Sequence, residues 1–153
     1  MKIKTLHIFD VDGTLVNSEH RYRINQDGKI NLDYWIANEN KTMEDKPLPL
    51  FDFAKNLPPG HAGIIATARV WCDLSKQFAA KHGLKLPVIA RKNRQDNRGG
   101  ASLKITGIKR LLNLKQYRDV EEIHVYEDNF SYLKALMIEF KAIGHYCPSN
   151  QGH

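Results

Sequence analysis

Five short apolar runs bounded by turn residues punctuate the chain, at about Thr5–Val11, Gly63–Thr67, Pro87–Ala90, Glu122–Tyr126 and Lys141–Tyr146. Their length and their β-branched and aromatic content predict strands. Between them, Leu48–Asn56, Trp71–His82, Leu103–Leu112 and Tyr132–Phe140 carry apolar residues near a 3.6-residue spacing, and Gly83 follows the second. These stretches predict amphipathic helices. Strand and helix alternate, so the expected fold class is α/β, a Rossmann-like, doubly wound parallel sheet whose ligands bind beyond the carboxyl ends of the strands. One stretch, about 16–47, is patterned more weakly. Within it Gln26-Asp27-Gly28, flanked by alternating apolar and polar residues, reads as a hairpin. Placed directly after the first strand, it would overhang the strand ends as a flap. A length of 153 residues suits one domain over 1–153, with this flap as an insertion and no second catalytic module.

Composition narrows the partners. Lys and Arg number 23 against 17 Asp and Glu, a formal charge of +6, which favours an anionic partner such as nucleic acid, a nucleotide or an acidic lipid. The apolar run after Met1 is cut by Asp10 too early for a signal-peptide core, and no stretch approaches the roughly 20 apolar residues that cross a bilayer. The expectation is a cytoplasmic protein with no membrane partner. Cys72 and Cys147 are read as reduced thiols. His20, His61, His82, His124 and His145 show no metal-ligand spacing.

The chemistry concentrates at strand ends. Asp10 and Asp12 close the first run, and because alternate side chains of an extended chain share a face, both carboxylates can converge before Gly13 turns the chain. Two acids so placed repel each other; a hard cation such as Mg2+ lets both stay charged, whereas an Asp-rich turn is the plainer alternative. Thr67 ends the second run, where its hydroxyl and the following backbone N–H, that of Ala68, can bind a phosphoryl oxygen. Arg69, two residues on, can grip phosphate bidentately. Glu127 and Asp128 end a later run. Three polar clusters therefore meet one rim.

Phe9-Asp10-Val11-Asp12-Gly13-Thr14-Leu15 resembles the first motif of the haloacid dehalogenase-like (HAD) phosphohydrolases, and the hydroxyl, lysine and late acidic pair follow in the family's order. The resemblance implies a Mg2+-dependent phosphatase. Asp10 would be the nucleophile that becomes an aspartyl-phosphate, and Asp12 the general acid/base. Thr67 would hold the phosphoryl group, together with Thr14 and Ala68. The metal would be held by Asp10, by Asp12 through its backbone carbonyl, and by Asp128, with Glu127 in an outer position. For the lysine, Lys109 is favoured, Lys104 is its rival and Lys92 a third candidate. The flap is too small to be the large helical cap of many relatives.

Within that family, the details resemble the 3′-phosphatase domain of polynucleotide kinase-phosphatases and similar RNA-repair proteins. Arg21 stands nine residues after Asp12, where that group has a functional, substrate-binding Arg, and Thr67-Ala68-Arg69 parallels its Ser-Gly-Arg. Asn129 departs from the group's usual Arg, and no kinase-type phosphate loop occurs. The segment 91–100 offers Arg91, Lys92, Arg94 and Arg98 against Asp96, either a strip that tracks a nucleic-acid backbone or a solvated loop. The leading expectation is a phosphatase for a nucleic-acid 3′-phosphate end, as in nucleic-acid repair. The alternatives are a mononucleotide or small-molecule phosphatase, and a nucleic-acid-binding module with a vestigial site.

Overall fold

The computed structural model describes residues 2–149. Seven strands, β1 (Thr5–Phe9), β2 (Val16–Asn17), β3 (Lys46–Pro47), β4 (His61–Val70), β5 (Val88–Arg91), β6 (Glu122–Glu127) and β7 (Ile143–Tyr146), interleave with five α-helices. The helices are α1 (Leu32–Ala37), α2 (Pro49–Lys55), α3 (Asp73–Lys81), α4 (Gly100–Leu112) and α5 (Phe130–Phe140). The central sheet is parallel throughout, in the order β5-β4-β1-β6-β7. From β1 the chain goes to β4 on one side, whereas from β6 it goes to β7 on the other. The crevice where the connections diverge lies between β1 and β6, and in such sheets ligands bind there.

Both faces of β1 are covered, so Leu6 to Phe9 are all buried, His7 included, and are sorted by face. Leu6 and Ile8 pack with Ile64 and Val125, under Ile108 of α4 and Leu133 and Leu136 of α5. Phe9 packs the other way, with Ile65 and Tyr126, against Phe51 of α2 and Phe78 of α3. Each of these fully buried side chains contributes about 1.5–3 kcal/mol through apolar area removed from water.

On the α2 side an imidazole ladder crosses four adjacent strands. His61, His7, His124 and His145 stack with successive ring centroids 5.1, 5.0 and 5.1 Å apart. His7 Nε2 lies 2.8 Å from His61 Nδ1, and His124 Nδ1 lies 2.8 Å from His145 Nε2. Burial and the neighbouring rings lower His7 to a pKa of about 4, so His7 is neutral at physiological pH.

The expected strands and helices all occur, with ends shifted by a few residues. One of these shifts bears on the site: β4 runs on to Val70, with an irregular register between Ala66 and Val70. Thr67, expected at a strand end, therefore sits inside that irregularity. Bulges of this kind re-aim side chains beside active sites. The weakly patterned stretch is enclosed by the antiparallel pair β2 and β3. Its hairpin forms, with Ile24 bridging Ile30 and Gly28 at φ +82, a conformation that disfavours other residues. The helix α1, not expected, starts at Asn31, whose side chain accepts from the Tyr34 N–H at 3.0 Å.

Candidate active site

Asp10 leaves β1 with its N–H still donating to the Tyr126 carbonyl at 3.0 Å, which ties the start of the turn to β6. The Val11 carbonyl then accepts from the N–H groups of Thr14, Leu15 and Val16, winding the chain into a tight loop. Gly13 is required there twice over. It has φ +80, and a Cβ on it would lie 2.3 Å from Asp128 Oδ2, so only glycine lets the loop approach the late acidic pair.

The loop, the end of β6 and α4 bring four buried ionisable side chains together. Lys104 Nζ lies 3.1 Å from Asp10 Oδ1 and 2.5 Å from Glu127 Oε2, and its side chain is 1% exposed. Thr14 Oγ1 donates to Asp10 Oδ2 at 3.2 Å, and Ser149 Oγ donates to Asp128 Oδ2 at 2.8 Å. Burial opposes ionisation of Asp10, but the Lys104 ammonium overcomes it and holds the carboxyl below its ordinary range. Burial likewise disfavours the Lys104 charge, which Asp10 and Glu127 restore and raise. Glu127 is pushed well above the usual carboxylate range by burial and by the Asp10 charge, and Asp128 is pushed up to about 7 for the same two reasons.

One ammonium thus pairs with two of three clustered carboxylates. Asp10, Glu127 and Asp128 each offer an oxygen within 4.8 Å of the others, all three residues buried. An all-oxygen, anionic donor set of this kind fits a hard divalent cation.

Asp12 faces elsewhere. Its Oδ1 accepts from Ser18 Oγ at 2.9 Å and from Arg69 Nη1 at 3.3 Å. Arg69 is 7% exposed at its side chain, and its Nε is buried with no hydrogen-bond partner among the described residues. A buried N–H of a charged group without a partner is costly, and an anion placed in the cavity would satisfy it. The cavity, about 470 Å³, runs from Asp10, Lys104 and Asp128 to the flap residues Tyr22, Leu32 and Trp35. Its rim is bridged where Arg94 of the basic loop pairs with Glu39 of the flap at 2.5 Å.

Most sequence-predicted site residues converge on this cavity. Asp10, Asp12, Thr67, Ala68, Arg69, Glu127 and Asp128 line it, and Thr14 supports Asp10 from behind. Lys109 does not. Its side chain is 58% exposed and pairs with Glu139 on the outer surface, and Lys104, the rival, occupies the place beside Asp10. The reason is helical phase: Gly100, Leu103, Lys104 and Ile108 form the buried stripe of α4, and Lys109 falls outside it.

Arg21 reaches the cavity wall but is committed within the chain. Its Nε and Nη2 donate to the two oxygens of Asp45 at 2.8 and 2.9 Å, and its guanidinium lies 4.0 Å over the Trp35 ring. Sequence reasoning missed Asp45, Ser18, Ser149 and Trp35. The basic loop is also largely self-satisfied: Arg91 donates to the carbonyls of Ala68, Asp96 and Arg98, and Arg98 pairs with Asp96 at 2.7 Å.

A doubly wound parallel sheet with such a constellation at its switch point defines a haloacid dehalogenase-like phosphohydrolase. The family described as bacteriophage T5 5′-deoxynucleotidase matches residues 1–97, and the chain belongs to that family. The match takes in Asp10, Asp12, Thr67 and Arg69 and stops short of Lys104 and the acidic pair. No curated protein matches the sequence. Among solved structures, a chain of the Pnkp1/Rnl/Hen1 RNA repair complex is similar at TM-score 0.65 and 17% identity, over 94% of this chain and 42% of that one. This chain therefore spans less than half the length of that relative. The HAD domain of effector protein Lem4 from Legionella pneumophila is similar at TM-score 0.63 and 12% identity, over 98% and 89% of the two chains. The haloacid dehalogenase-like hydrolase SP0104 from Streptococcus pneumoniae is similar at 0.57 and 14%, over 95% of each. No helix among the described residues is long and apolar enough to cross a membrane.

Proposed function

We propose that this phosphohydrolase removes the phosphate of a deoxynucleoside 5′-monophosphate, with Asp10 as nucleophile and Mg2+ as cofactor. The observation that carries the reading is the unpartnered Arg69 Nε beside Asp12, in a cavity of about 470 Å³ whose rim is bridged by Arg94 and Glu39. A cavity of that size matches one small ligand. The family's description supports a nucleotide in particular.

In this reading an Asp10 oxygen attacks phosphorus while Asp12 protonates the departing 5′-oxygen, so the P–O bond to the nucleoside breaks as the aspartyl-phosphate forms. Asp12 then takes a proton from water, which attacks phosphorus and releases phosphate and free Asp10. Arg69 and Thr67 hold the phosphoryl oxygens, and Lys104 keeps Asp10 ionised. Mg2+, held by Asp10, Asp128 and the Asp12 carbonyl with Glu127 behind, would neutralise phosphoryl charge.

The expectation from the sequence, a nucleic-acid 3′-phosphate, stands as the second reading, favoured by the spacing of Arg21 from Asp12, by exposed Arg94 lining the cavity and by exposed Lys92 in the same loop. Against it, Arg91 and Arg98 are spent within the loop, which leaves a thinner track for a polyanion. The test compares kcat/KM for the four deoxynucleoside 5′-monophosphates with that for a 3′-phosphorylated oligonucleotide. The mononucleotides are expected to lead by about tenfold or more; a lead for the oligonucleotide would transfer the assignment to end processing.

A further inference from the structure

Asp45 is a buried carboxylate, 4% exposed, outside the chemistry described above, yet the flap and the phosphate rim converge on it. Arg21 binds it through two nitrogens, His20 Nε2 lies 2.8 Å from its Oδ1, and Arg69 Nη1 lies 3.9 Å from its Oδ2. The bidentate pair is much the tighter contact, and it fixes the plane of the Arg21 guanidinium. That plane in turn lies 4.0 Å over the Trp35 ring, a cation–π contact in a nearly dry setting. Trp35 is half-buried and lines the same cavity as Asp10 and Arg69, as part of the flap wall.

Among the described residues the Arg21 contact is the one that acts on the Trp35 ring itself, whereas Arg23 over Tyr34 at 4.2 Å and the Arg94–Glu39 pair hold its neighbours. Helix α1 has six residues, none of them buried, and is too short to be stable alone. The placement of Trp35 therefore depends on what holds Arg21, and that is Asp45.

We propose that Asp45 is a positioning residue for substrate specificity: through Arg21 it fixes Trp35 as the wall against which the nucleobase rests. The proposal builds on the nucleotide reading and adds to it the residue that sets affinity for the base. It predicts that the base, and not the phosphate, feels the loss of Asp45. Asp45→Asn keeps the shape but removes the charge and presents N–H groups to an arginine.

The experiment measures KM and kcat for a deoxynucleoside 5′-monophosphate and for 2-deoxyribose 5-phosphate, which has the same phosphate and sugar but no base. Asp45→Asn is expected to raise KM for the nucleotide about tenfold, with kcat within about threefold, and to leave KM for the sugar phosphate within about twofold. Trp35→Ala removes a half-buried flap side chain without touching the core, and should give the same split even where Asp45→Asn folds poorly. In the double variant the two effects should not add, because they act through one contact. Equal losses on both substrates in Trp35→Ala, or fully additive effects in the double variant, would overturn the relay. Failure of the nucleotide reading shows separately, in the wild type, as a preference for the 3′-phosphorylated oligonucleotide; the relay is then judged by the same KM split on that substrate.

Discussion

Replacing Lys104 by Met removes one ammonium and little else, since the unbranched stem is kept. Asp10 and Glu127 would then share a buried site without the cation that lies 3.1 and 2.5 Å from them. Breaking a buried ion pair from one side costs about 3–5 kcal/mol while the partner stays charged. Proton uptake by the carboxylates, two of which already have raised pKa values, relieves part of this cost but leaves Asp10 a poorer nucleophile. Lys104→Met is therefore expected to fold with reduced stability and to lose turnover by about 10²–10³-fold, the usual scale for removing one preorganised charged or donor group. Lys109→Met is the matched control. That lysine is 58% exposed and pairs with a surface glutamate, so its loss should cost under about 1 kcal/mol and leave turnover unchanged. Urea unfolding and phosphate release at saturating substrate measure both quantities on both variants. Turnover surviving in Lys104→Met but lost in Lys109→Met would refute the reasoning.

Two further outcomes follow from geometry and charge. Gly13→Ala should lose divalent-cation binding, read by calorimetry, and about 1–3 kcal/mol of stability, because the new Cβ lies 2.3 Å from Asp128 Oδ2 at a φ of +80; unchanged cation affinity would argue against the proposed metal site. His7 has a pKa of about 4 in the fold against 6.5 in the unfolded chain, so the unfolded chain takes up its proton first as pH falls. Its contribution is neutral above pH 6.5, and stability is lost between pH 6.5 and about 4, by up to about 3 kcal/mol. The loss should be smaller by that amount in His7→Phe, measured as the difference in unfolding free energy between pH 7.5 and 4.5.

The sheet and its helices were legible because their burial is regular. Strands such as β1 send large apolar side chains to both faces, and α2 to α5 show the helical period, so local pattern and packing agree. The flap was legible only as an insertion with a hairpin. Leu32, Trp35 and Ile36 of α1 line the cavity instead of the core, so the period that marks a helix was not tied to any packed face. At the site, Asp10, Asp12, Glu127 and Asp128 stood out as acids at strand ends. The choice between lysines did carry a readable signal: Gly100, Leu103 and Ile108 set an inward stripe that includes position 104 and leaves out 109. Asp45 had none, since its partners Arg21 and Arg69 are 24 and 24 residues away on either side and meet it only through the fold.

The most direct test of the central claim is phosphate release from a deoxynucleoside 5′-monophosphate by the wild-type protein with Mg2+, with EDTA, and by Asp10→Asn with Mg2+. Release that needs both the cation and the Asp10 carboxylate is the expected result. Release that persists in Asp10→Asn, or that is indifferent to EDTA, would contradict the account.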